Sequence, residues 1–175
     1  TRLSGTTVIS ARAEHRLQSF YLDFGLPVSE VVVNGRPATF DQQSEMQLEV
    51  RPATGIAAGA NFAVAVTYAG NPGELNGDVS PWYTTNAECG AIGEPESSAW
   101  WFPANDHPSD PALMDVSIRV PAGMEAISVG RLESADTGNE KDFNTWHWVA
   151  QQPMATYLNF MTIGQYELKR GIDHG

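Results

Sequence analysis

Short runs of alternating or β-branched residues recur along the sequence, separated by turn-forming residues roughly every ten positions. Helical spacing of apolar residues is scarce. Within residues 17–24, Phe20, Leu22 and Phe24 share one side of a strand, and we expect that side to face the core. The dipeptide Asn34-Gly35 is typical of a two-residue type I′ turn between antiparallel strands. The pattern therefore predicts an all-β fold, an antiparallel β-sandwich with only a few short helical turns.

The predicted strands can be placed from this alternation, and one long region interrupts them. The strands are expected at residues 6–13, 17–24, 28–33, 36–40, 46–50, 61–68, 113–120, 126–132, 143–149 and 157–168. Residues 69–98 are rich in Gly, Pro and Asn, which predicts a long loop with little regular structure. Long ordered loops in compact domains are usually functional or act as linkers, so this region is the first place to search for a site.

The charge of the chain is strongly negative and unevenly distributed. Lys and Arg number 10 against 21 Asp and Glu, which gives a formal net charge of -11. Such a surface repels phosphate backbones and anionic lipid headgroups, so we expect neither a nucleic-acid partner nor a membrane partner. No Lys or Arg occurs between Arg51 and Arg119, and we call residues 52–118 the acidic stretch. Its acids either attract a cation such as an amine or simply keep the chain soluble: Glu74, Asp78, Glu88, Glu94, Glu96, Asp106, Asp110 and Asp115.

A single cysteine, Cys89, excludes an intrachain disulfide, so an apolar core must hold the fold together. We expect this thiol to be a small buried hydrophobe. No apolar run approaches the ~20 residues of a membrane span, and the start of the chain does not resemble a signal peptide. The missing initiator Met suggests that the numbering begins inside a longer gene product. The localisation stays open, and the single cysteine and the lack of a visible signal favour the cytoplasm.

No catalytic or metal-binding motif is present in the sequence. The four histidines, His15, His107, His147 and His174, are far apart, and there is no H-E-x-x-H pattern or G-x-S-x-G elbow. We therefore predict no catalytic residue and no metal ligand in this chain. One segment remains, residues 93–110, where three aromatic residues lead into a turn rich in Asp, Asn and Pro. These aromatic residues belong either to the core or to an exposed platform.

The same segment carries a resemblance to a known family. Phe102-Pro103-Ala104-Asn105-Asp106-His107-Pro108 resembles the F-P-C-x-D-x-P turn of the amino-terminal domain of zinc aminopeptidases, of the aminopeptidase N and leukotriene hydrolase type (peptidase family M1), with Ala104 in place of Cys. Residues 31–35, 66–70 and 153–158 follow the order of that domain, and we expect a bacterial source. The resemblance covers essentially the whole chain and implies the saddle-like β-sandwich of that family.

The resemblance implies a division of labour within a larger protein. In the family, the zinc ligands and the general base lie in an H-E-x-x-H motif of a following catalytic domain. We therefore expect residues 1–170 to form one β-sandwich domain and residues 171–175 to begin the linker to that domain. No cofactor is expected in this chain, and zinc belongs to the catalytic domain of the parent protein. The expected partners are that catalytic domain and the amino terminus of a peptide, and by itself the chain should not hydrolyse peptides.

The resemblance also singles out one acidic residue. Counting back from Phe102-Pro103 places Glu94, flanked by Gly93 and Pro95, where the family carries a Gln or Glu that binds the free α-amino group of the substrate. A carboxylate suits this task because it accepts charge-assisted hydrogen bonds from an ammonium group. The alternative is that Glu94 is an ordinary solvated loop acid. Separation from a catalytic domain would also expose an apolar patch around residues 82–102.

A second function remains open at this point. The chain could instead be a binding module for a glycan or a protein, with its aromatic residues forming the platform: Trp82, Tyr83, Trp100 and Trp101.

Overall fold

Strands account for most of the described chain in the computed structural model, which describes residues 2–44, 46–75, 80–94 and 97–167. Three single turns of 3-10 helix, Pro72–Glu74, Ser98–Trp100 and Thr156–Leu158, are the helical elements of these residues. The strands are β1 (Leu3–Arg12), β2 (Phe20–Asp23), β3 (Val28–Val33), β4 (Arg36–Pro37), β5 (Thr39–Ser44), β6 (Gln47–Arg51), β7 (Asn61–Gly70), β8 (Trp82–Thr84), β9 (Cys89–Ala91), β10 (Ala112–Pro121), β11 (Glu125–Ser128), β12 (Arg131–Thr137), β13 (Phe143–Met154) and β14 (Met161–Gly164).

These strands form four antiparallel sheets. Their orders are β1-β7-β3-β4, β2-β6-β5, β10-β13-β12 and β11-β14-β9-β8. Side chains from all four sheets join one buried apolar cluster, represented by Val66, Leu48, Ile118 and Met161. The predicted all-β, antiparallel class is therefore confirmed. No helix of the described residues has the length and apolar character that crossing a bilayer requires.

The side of residues 17–24 that the alternation of apolar residues predicts to be buried does face the core. Phe24 is 0% exposed, whereas Tyr21 on the opposite side of the same segment is 51% exposed. The centre of the Phe24 ring, directly after β2, lies 4.7 Å from the centre of the Tyr68 ring of β7 in an edge-on contact. The prediction that Phe20, Leu22 and Phe24 face inward is confirmed, with Leu22 and Phe24 buried and Phe20 half-buried.

The Asn34-Gly35 turn is confirmed in detail. Asn34 and Gly35 have φ values of 50° and 74°, the left-handed conformation that a type I′ turn requires at both central residues. Val33 pairs with Arg36 across the turn. The Asn34 side-chain oxygen also accepts a hydrogen bond of 2.9 Å from the backbone N–H of Ala63, which ties the hairpin to β7.

The prediction of a loop with little regular structure over residues 69–98 is wrong in part. A 3-10 turn at Pro72–Glu74 and the strands β8 and β9 lie within it, and β9 pairs with both β8 and β14. These strands are three residues long, too short for alternation to be visible in the sequence. Gly90 in β9 contributed to the error because glycine usually marks a turn. Here it permits a close approach, since a Cβ at Gly90 would lie 2.2 Å from the carbonyl oxygen of Met161.

Two other predicted strands are divided in the structure. The strand predicted at residues 126–132 is interrupted at Gly130, whose φ is +87°, so β11 and β12 belong to different sheets. The strand predicted at residues 157–168 begins as the 3-10 turn Thr156–Leu158, and β14 is the strand found among the described residues of this range. The predicted boundary between residues 1–170 and 171–175 lies outside the described residues and stays a prediction.

The expected apolar patch around residues 82–102 is also wrong for its largest members. Trp82, Trp101 and Phe102 are only 8%, 5% and 9% exposed. The rings of Trp101 and Phe102 lie 4.6 Å apart in an edge-on contact, and both belong to the core cluster. Ile92 is the exposed large hydrophobic residue among the described residues of this range.

We predict that the fold depends on Phe24 far more than on Tyr21. Phe24→Ala should lower the free energy of unfolding by about 3–5 kcal/mol, because it opens a cavity at a fully buried site. Tyr21→Ala, the matched control on the exposed side, should cost less than about 1 kcal/mol. Urea denaturation of the two variants measures the difference. Equal losses would contradict the assignment of the core side.

A second prediction concerns stability at alkaline pH. Burial raises the pKa of Tyr68 above its ordinary value, and its hydroxyl lies 3.3 Å from the Thr7 hydroxyl oxygen. As pH rises above about 10, the phenol ionises in the unfolded state before it does so in the folded state. The free energy of unfolding should therefore fall as pH rises through this range, and below the range Tyr68 should contribute no pH dependence to it.

Denaturation at several pH values between about 8 and 11 tests this behaviour. Tyr68→Phe should reduce the alkaline loss of stability, whereas Tyr21→Phe at the exposed position should leave it unchanged. An identical alkaline loss in Tyr68→Phe and the unsubstituted chain would rule out the contribution of Tyr68.

Candidate functional site

Glu94 lies on the surface immediately after a strand of the β11-β14-β9-β8 sheet. We call residues 92–94, which follow β9, the Glu94 segment. Its first residue is held by a hydrogen bond of 3.0 Å from the backbone N–H of Ile92 to the carbonyl oxygen of Pro81. Glu94 itself is exposed at a bend. Of the three residues predicted for this site, Gly93 and Glu94 are therefore adjacent and accessible, and Pro95 lies outside the described residues.

Gly93 lies between residues that precede and follow it in the chain. A Cβ at Gly93 would lie 3.0 Å from the Pro81 Cβ and 3.4 Å from the Ser97 Cβ. The first distance is tighter than most carbon contacts and the second is an ordinary van der Waals contact. Glycine at this position therefore avoids a tight contact with Pro81.

The residues that follow are held by three hydrogen bonds to distant parts of the chain. The Ser97 hydroxyl donates to the Tyr157 carbonyl oxygen at 2.8 Å. The backbone N–H of Ser98 donates to Asp106 Oδ2 at 3.1 Å, and the Ala99 carbonyl oxygen accepts from the N–H of Gly25 at 2.9 Å. Ser97, Ser98 and Ala99 are all buried. The chain just beyond the Glu94 segment therefore has well-defined partners.

Asp106 connects this region to the turn that carries the sequence motif. Its Oδ1 atom accepts a hydrogen bond of 2.6 Å from the hydroxyl of the buried Thr156. Its backbone N–H donates to Asp23 Oδ2 at 2.8 Å, at the end of β2. Asp23 and Ala104 also form a backbone bridge. The motif turn, residues 102–108, is thus hydrogen-bonded to β2, to residue 98 and to the 3-10 turn at Thr156.

The predicted turn at residues 105–110 is present, and its two acids make different contacts. The N–H of Asp110 donates to the His107 carbonyl oxygen at 3.0 Å, and Asp110 accepts from the Asn105 side chain at 2.8 Å. The side chain of Asp106, however, does not bond within the turn. It reaches Ser98 and Thr156, residues that sequence spacing does not bring together.

The aromatic residues do not form the exposed platform that the alternative function requires. Trp82 and Trp101 are buried in the core, and Tyr83 and Trp100 are half-buried. The Trp82 ring N–H donates to Thr84 Oγ1 at 3.1 Å, and the Tyr83 hydroxyl lies 2.6 Å from Thr162 Oγ1. The platform hypothesis is therefore wrong for Trp82 and Trp101, and core burial is the role that the structure shows for them.

A hydroxyl network that the sequence did not reveal lies on the same sheet. Thr162 Oγ1 hydrogen-bonds both the Tyr83 and the Tyr166 hydroxyls, and the Tyr166 hydroxyl donates to Glu88 Oε2 at 3.2 Å. Burial raises the pKa of Tyr166. The members are separated by up to 83 sequence positions, from 83 to 166, so only strand pairing could have revealed them.

The described residues contain no cluster of three or more His, Cys, Asp or Glu side chains that could hold a metal ion. His107 Nδ1 lies 2.7 Å from Ser109 Oγ, and His147 Nε2 lies 2.8 Å from Asp115 Oδ1 on β10. Burial raises the pKa of the half-buried Cys89 thiol, the opposite of what activates a nucleophilic cysteine. The described part of the chain therefore does not provide a zinc site.

Two shallow open depressions occur elsewhere on the described surface. One is lined by residues 130–131 and 149–154, and the other by residues 10–12, 34 and 61–63. Neither includes Gly93 or Glu94. The chemistry available at Glu94 is therefore that of an accessible carboxylate on a surface segment whose flanking residues are held in place.

Comparison with known proteins gives the family. The family model described as "Peptidase M1 N-terminal domain" matches residues 6–158. Comparison with curated proteins gives no match.

Solved structures of this family have the same fold. The M1 zinc metallopeptidase from Deinococcus radiodurans is 27% identical and superimposes with a TM-score of 0.82 over 92% of this chain and 37% of that one. A mutant of the Deinococcus radiodurans M1 zinc metallopeptidase bound to a Tyr-Ser-Ala substrate is also 27% identical, with a TM-score of 0.83 over 93% of this chain and 38% of that one.

A more distant structure shares the fold alone. Legionella pneumophila aminopeptidase A, in complex with aspartic acid, is 17% identical, with a TM-score of 0.69 over 85% of this chain and 17% of that one. The present chain thus spans well under half the length of these structures, 37% of the Deinococcus radiodurans protein. The family match over residues 6–158 shows that the chain belongs to the M1 peptidase family, as its N-terminal domain.

Proposed function

We propose that this chain is the substrate-anchoring domain of a zinc-dependent aminopeptidase and that Glu94 binds the free α-amino group of a peptide. In this proposal the chain lines one side of a substrate cleft and is not catalytic by itself. Gly93 and Pro95 flank Glu94 in the sequence, and Gly93 lies beside Pro81 and Ser97. The domain that completes the cleft lies outside the chain described here.

The observation that carries the proposal is the position of Glu94 among its acidic neighbours. Of the described acids in the acidic stretch, five accept hydrogen bonds or pair with His147: Glu74, Glu88, Asp106, Asp110 and Asp115. Glu94 has no hydrogen-bond or ion-pair partner among the described residues, and it is exposed. Among the described acids of this stretch, Glu94 is therefore the one whose carboxylate need not give up a described hydrogen bond to bind a ligand.

The charge of the surroundings supports a cationic ligand. No Lys or Arg occurs in the acidic stretch, so no basic side chain near in sequence competes for the Glu94 carboxylate. A protonated amine is attracted by this field and can donate up to three hydrogen bonds to carboxylate oxygens. One relative has been solved with Tyr-Ser-Ala bound as a substrate, and peptides of this kind carry such an amine.

Zinc chemistry is assigned to another part of the protein. The described residues offer no metal site, so we propose that the zinc ligands and the residues that activate water lie in the catalytic domain. The contribution of this chain is to bind and orient the peptide amino terminus. A binding module built on aromatic residues is less well supported, because Trp82 and Trp101 are buried.

Substitution of Glu94 in the full-length protein tests the proposal. Glu94→Ala should lower kcat/KM for an aminoacyl substrate by about ten- to one-hundred-fold, the loss expected when a charge-assisted hydrogen bond is removed. Glu94→Gln should lose less, because the amide oxygen still accepts a hydrogen bond. Initial rates over a range of substrate concentrations give kcat and KM for each protein.

Glu14→Ala provides the matched control, since Glu14 is also an exposed acid at a bend but lies outside the acidic stretch. It should leave kcat/KM within about twofold of the unsubstituted protein. A Glu94→Ala protein with unchanged kcat/KM would show that Glu94 does not bind the substrate.

A further inference from the structure

Asp106 joins segments that are far apart in the sequence, one of which follows the Glu94 segment along the chain. Its carboxylate accepts one hydrogen bond on each oxygen, from Ser98 on Oδ2 at 3.1 Å and from Thr156 on Oδ1 at 2.6 Å. The two donors are 8 and 50 positions away from it in the sequence. Both donors belong to buried residues. If the carboxylate were removed, the Ser98 N–H would lose its partner, whereas the Thr156 hydroxyl would keep the Asn105 carbonyl oxygen at 3.3 Å.

The connection from Asp106 to the Glu94 segment passes through Ser97. The Ser98 N–H is held by Asp106, and the neighbouring Ser97 hydroxyl is held by the Tyr157 carbonyl oxygen. The Ser97 Cβ also lies beside Gly93, the residue next to Glu94, since a Cβ added at Gly93 would be 3.4 Å from it. This proximity limits where the Gly93 backbone can lie while Ser97 is held.

Asp106 is itself held in place by the core side of the fold. Its backbone N–H donates to Asp23 Oδ2, and Asp23 forms a backbone bridge with Ala104. Asp23 is the last residue of β2 and directly precedes the fully buried Phe24. The carboxylate of Asp106 therefore has a defined position relative to the core.

We infer that Asp106 is a positioning residue that fixes the location of the Glu94 carboxylate through Ser98, Ser97 and Gly93. This inference rests on the proposed function, because it concerns how Glu94 meets its ligand. Asp106 does not touch the substrate. It restricts the movement of the chain that carries Glu94, so that the carboxylate is already placed when the amine arrives, which reduces the ordering that binding requires.

Two substitutions of Asp106 distinguish a role of its hydrogen bonds from a role of its negative charge. An Asn side chain at position 106 can accept the Ser98 hydrogen bond through its oxygen and donate to the Thr156 hydroxyl through its nitrogen. Asp106→Asn should therefore keep the network, whereas Asp106→Ala should lose both hydrogen bonds. If Asp106 acted by its charge, both substitutions would have the same effect.

The test is a set of steady-state measurements on the full-length protein, with an aminoacyl substrate and a double-mutant cycle. Asp106→Ala should raise KM by about tenfold with little change in kcat, because misplacement of Glu94 weakens amine binding. Asp106→Asn should stay within about threefold of the unsubstituted KM. In a Glu94→Ala background, Asp106→Ala should change KM by less than about twofold, because the residue that it positions is absent.

Asp110→Ala is the matched control. Asp110 lies in the same turn, and its side chain accepts a hydrogen bond from Asn105 of that turn. Its substitution should leave KM within about twofold of the unsubstituted value. If Asp106→Ala does not fold, Thr156→Val removes one of the two hydrogen bonds to Asp106, together with the hydrogen bond from the Thr156 hydroxyl to the Asn105 carbonyl oxygen. It should raise KM by about threefold in the unsubstituted background and leave it unchanged in Glu94→Ala.

The outcomes separate this inference from the proposed function. Equal KM increases for Asp106→Ala in both backgrounds, or a loss of kcat in proportion to unfolded protein with KM unchanged, would overturn the positioning role and leave the role of Glu94 intact. An equal KM rise in Asp106→Asn and Asp106→Ala would overturn it too. An unchanged kcat/KM in Glu94→Ala alone would overturn the proposed function, and the inference with it.

Discussion

Residues 22–26 connect the apolar core to the candidate site, and the rest of the structure depends on their burial. Leu22, Phe24 and Leu26 are inside, and the Phe24 ring packs on Tyr68 of β7. The backbone N–H and C=O groups of the same segment are removed from water and need hydrogen-bond partners, which residues 99 and 104 provide. The N–H of Asp23 bonds Ala104 and the N–H of Gly25 bonds Ala99. Hydrophobic burial on one side therefore determines the position of residues 97–106 on the other.

Much of the fold could be predicted from the sequence where strands are long and one side is buried. Alternation identified the long central strands, and Asn34-Gly35 specified the hairpin turn because only a few residues tolerate positive φ. Prediction failed where strands are short or contain glycine. Gly90 lies within β9 to permit close approach to β14, and Gly130 divides a predicted strand between two sheets. Local pattern cannot distinguish these uses of glycine from a turn, because both depend on distant neighbours.

The candidate site was predictable only in part. Glu94 was identified through the resemblance to the M1 family, and its exposure agrees with an accessible role, but neither alternation nor charge counting separates it from the other acids. The separation comes from tertiary hydrogen bonds, which engage Glu88, Asp106 and Asp115 with partners elsewhere in the chain. The long-range role of Asp106 was invisible for the same reason. A D-x-P turn explains the conformation of its own backbone and says nothing of Ser98 or Thr156.

The fastening of residues 97–99 has a consequence for protein engineering. A peptide copied from the Glu94 segment and its neighbours would lack Gly25, Asp106 and Tyr157, which supply the hydrogen bonds that hold residues 97–99. Transplanting that peptide alone onto another scaffold would therefore transfer the carboxylate without its placement. The transferable unit is discontinuous: it consists of the surface segment together with the ends of β2, the motif turn and the 3-10 turn at Thr156.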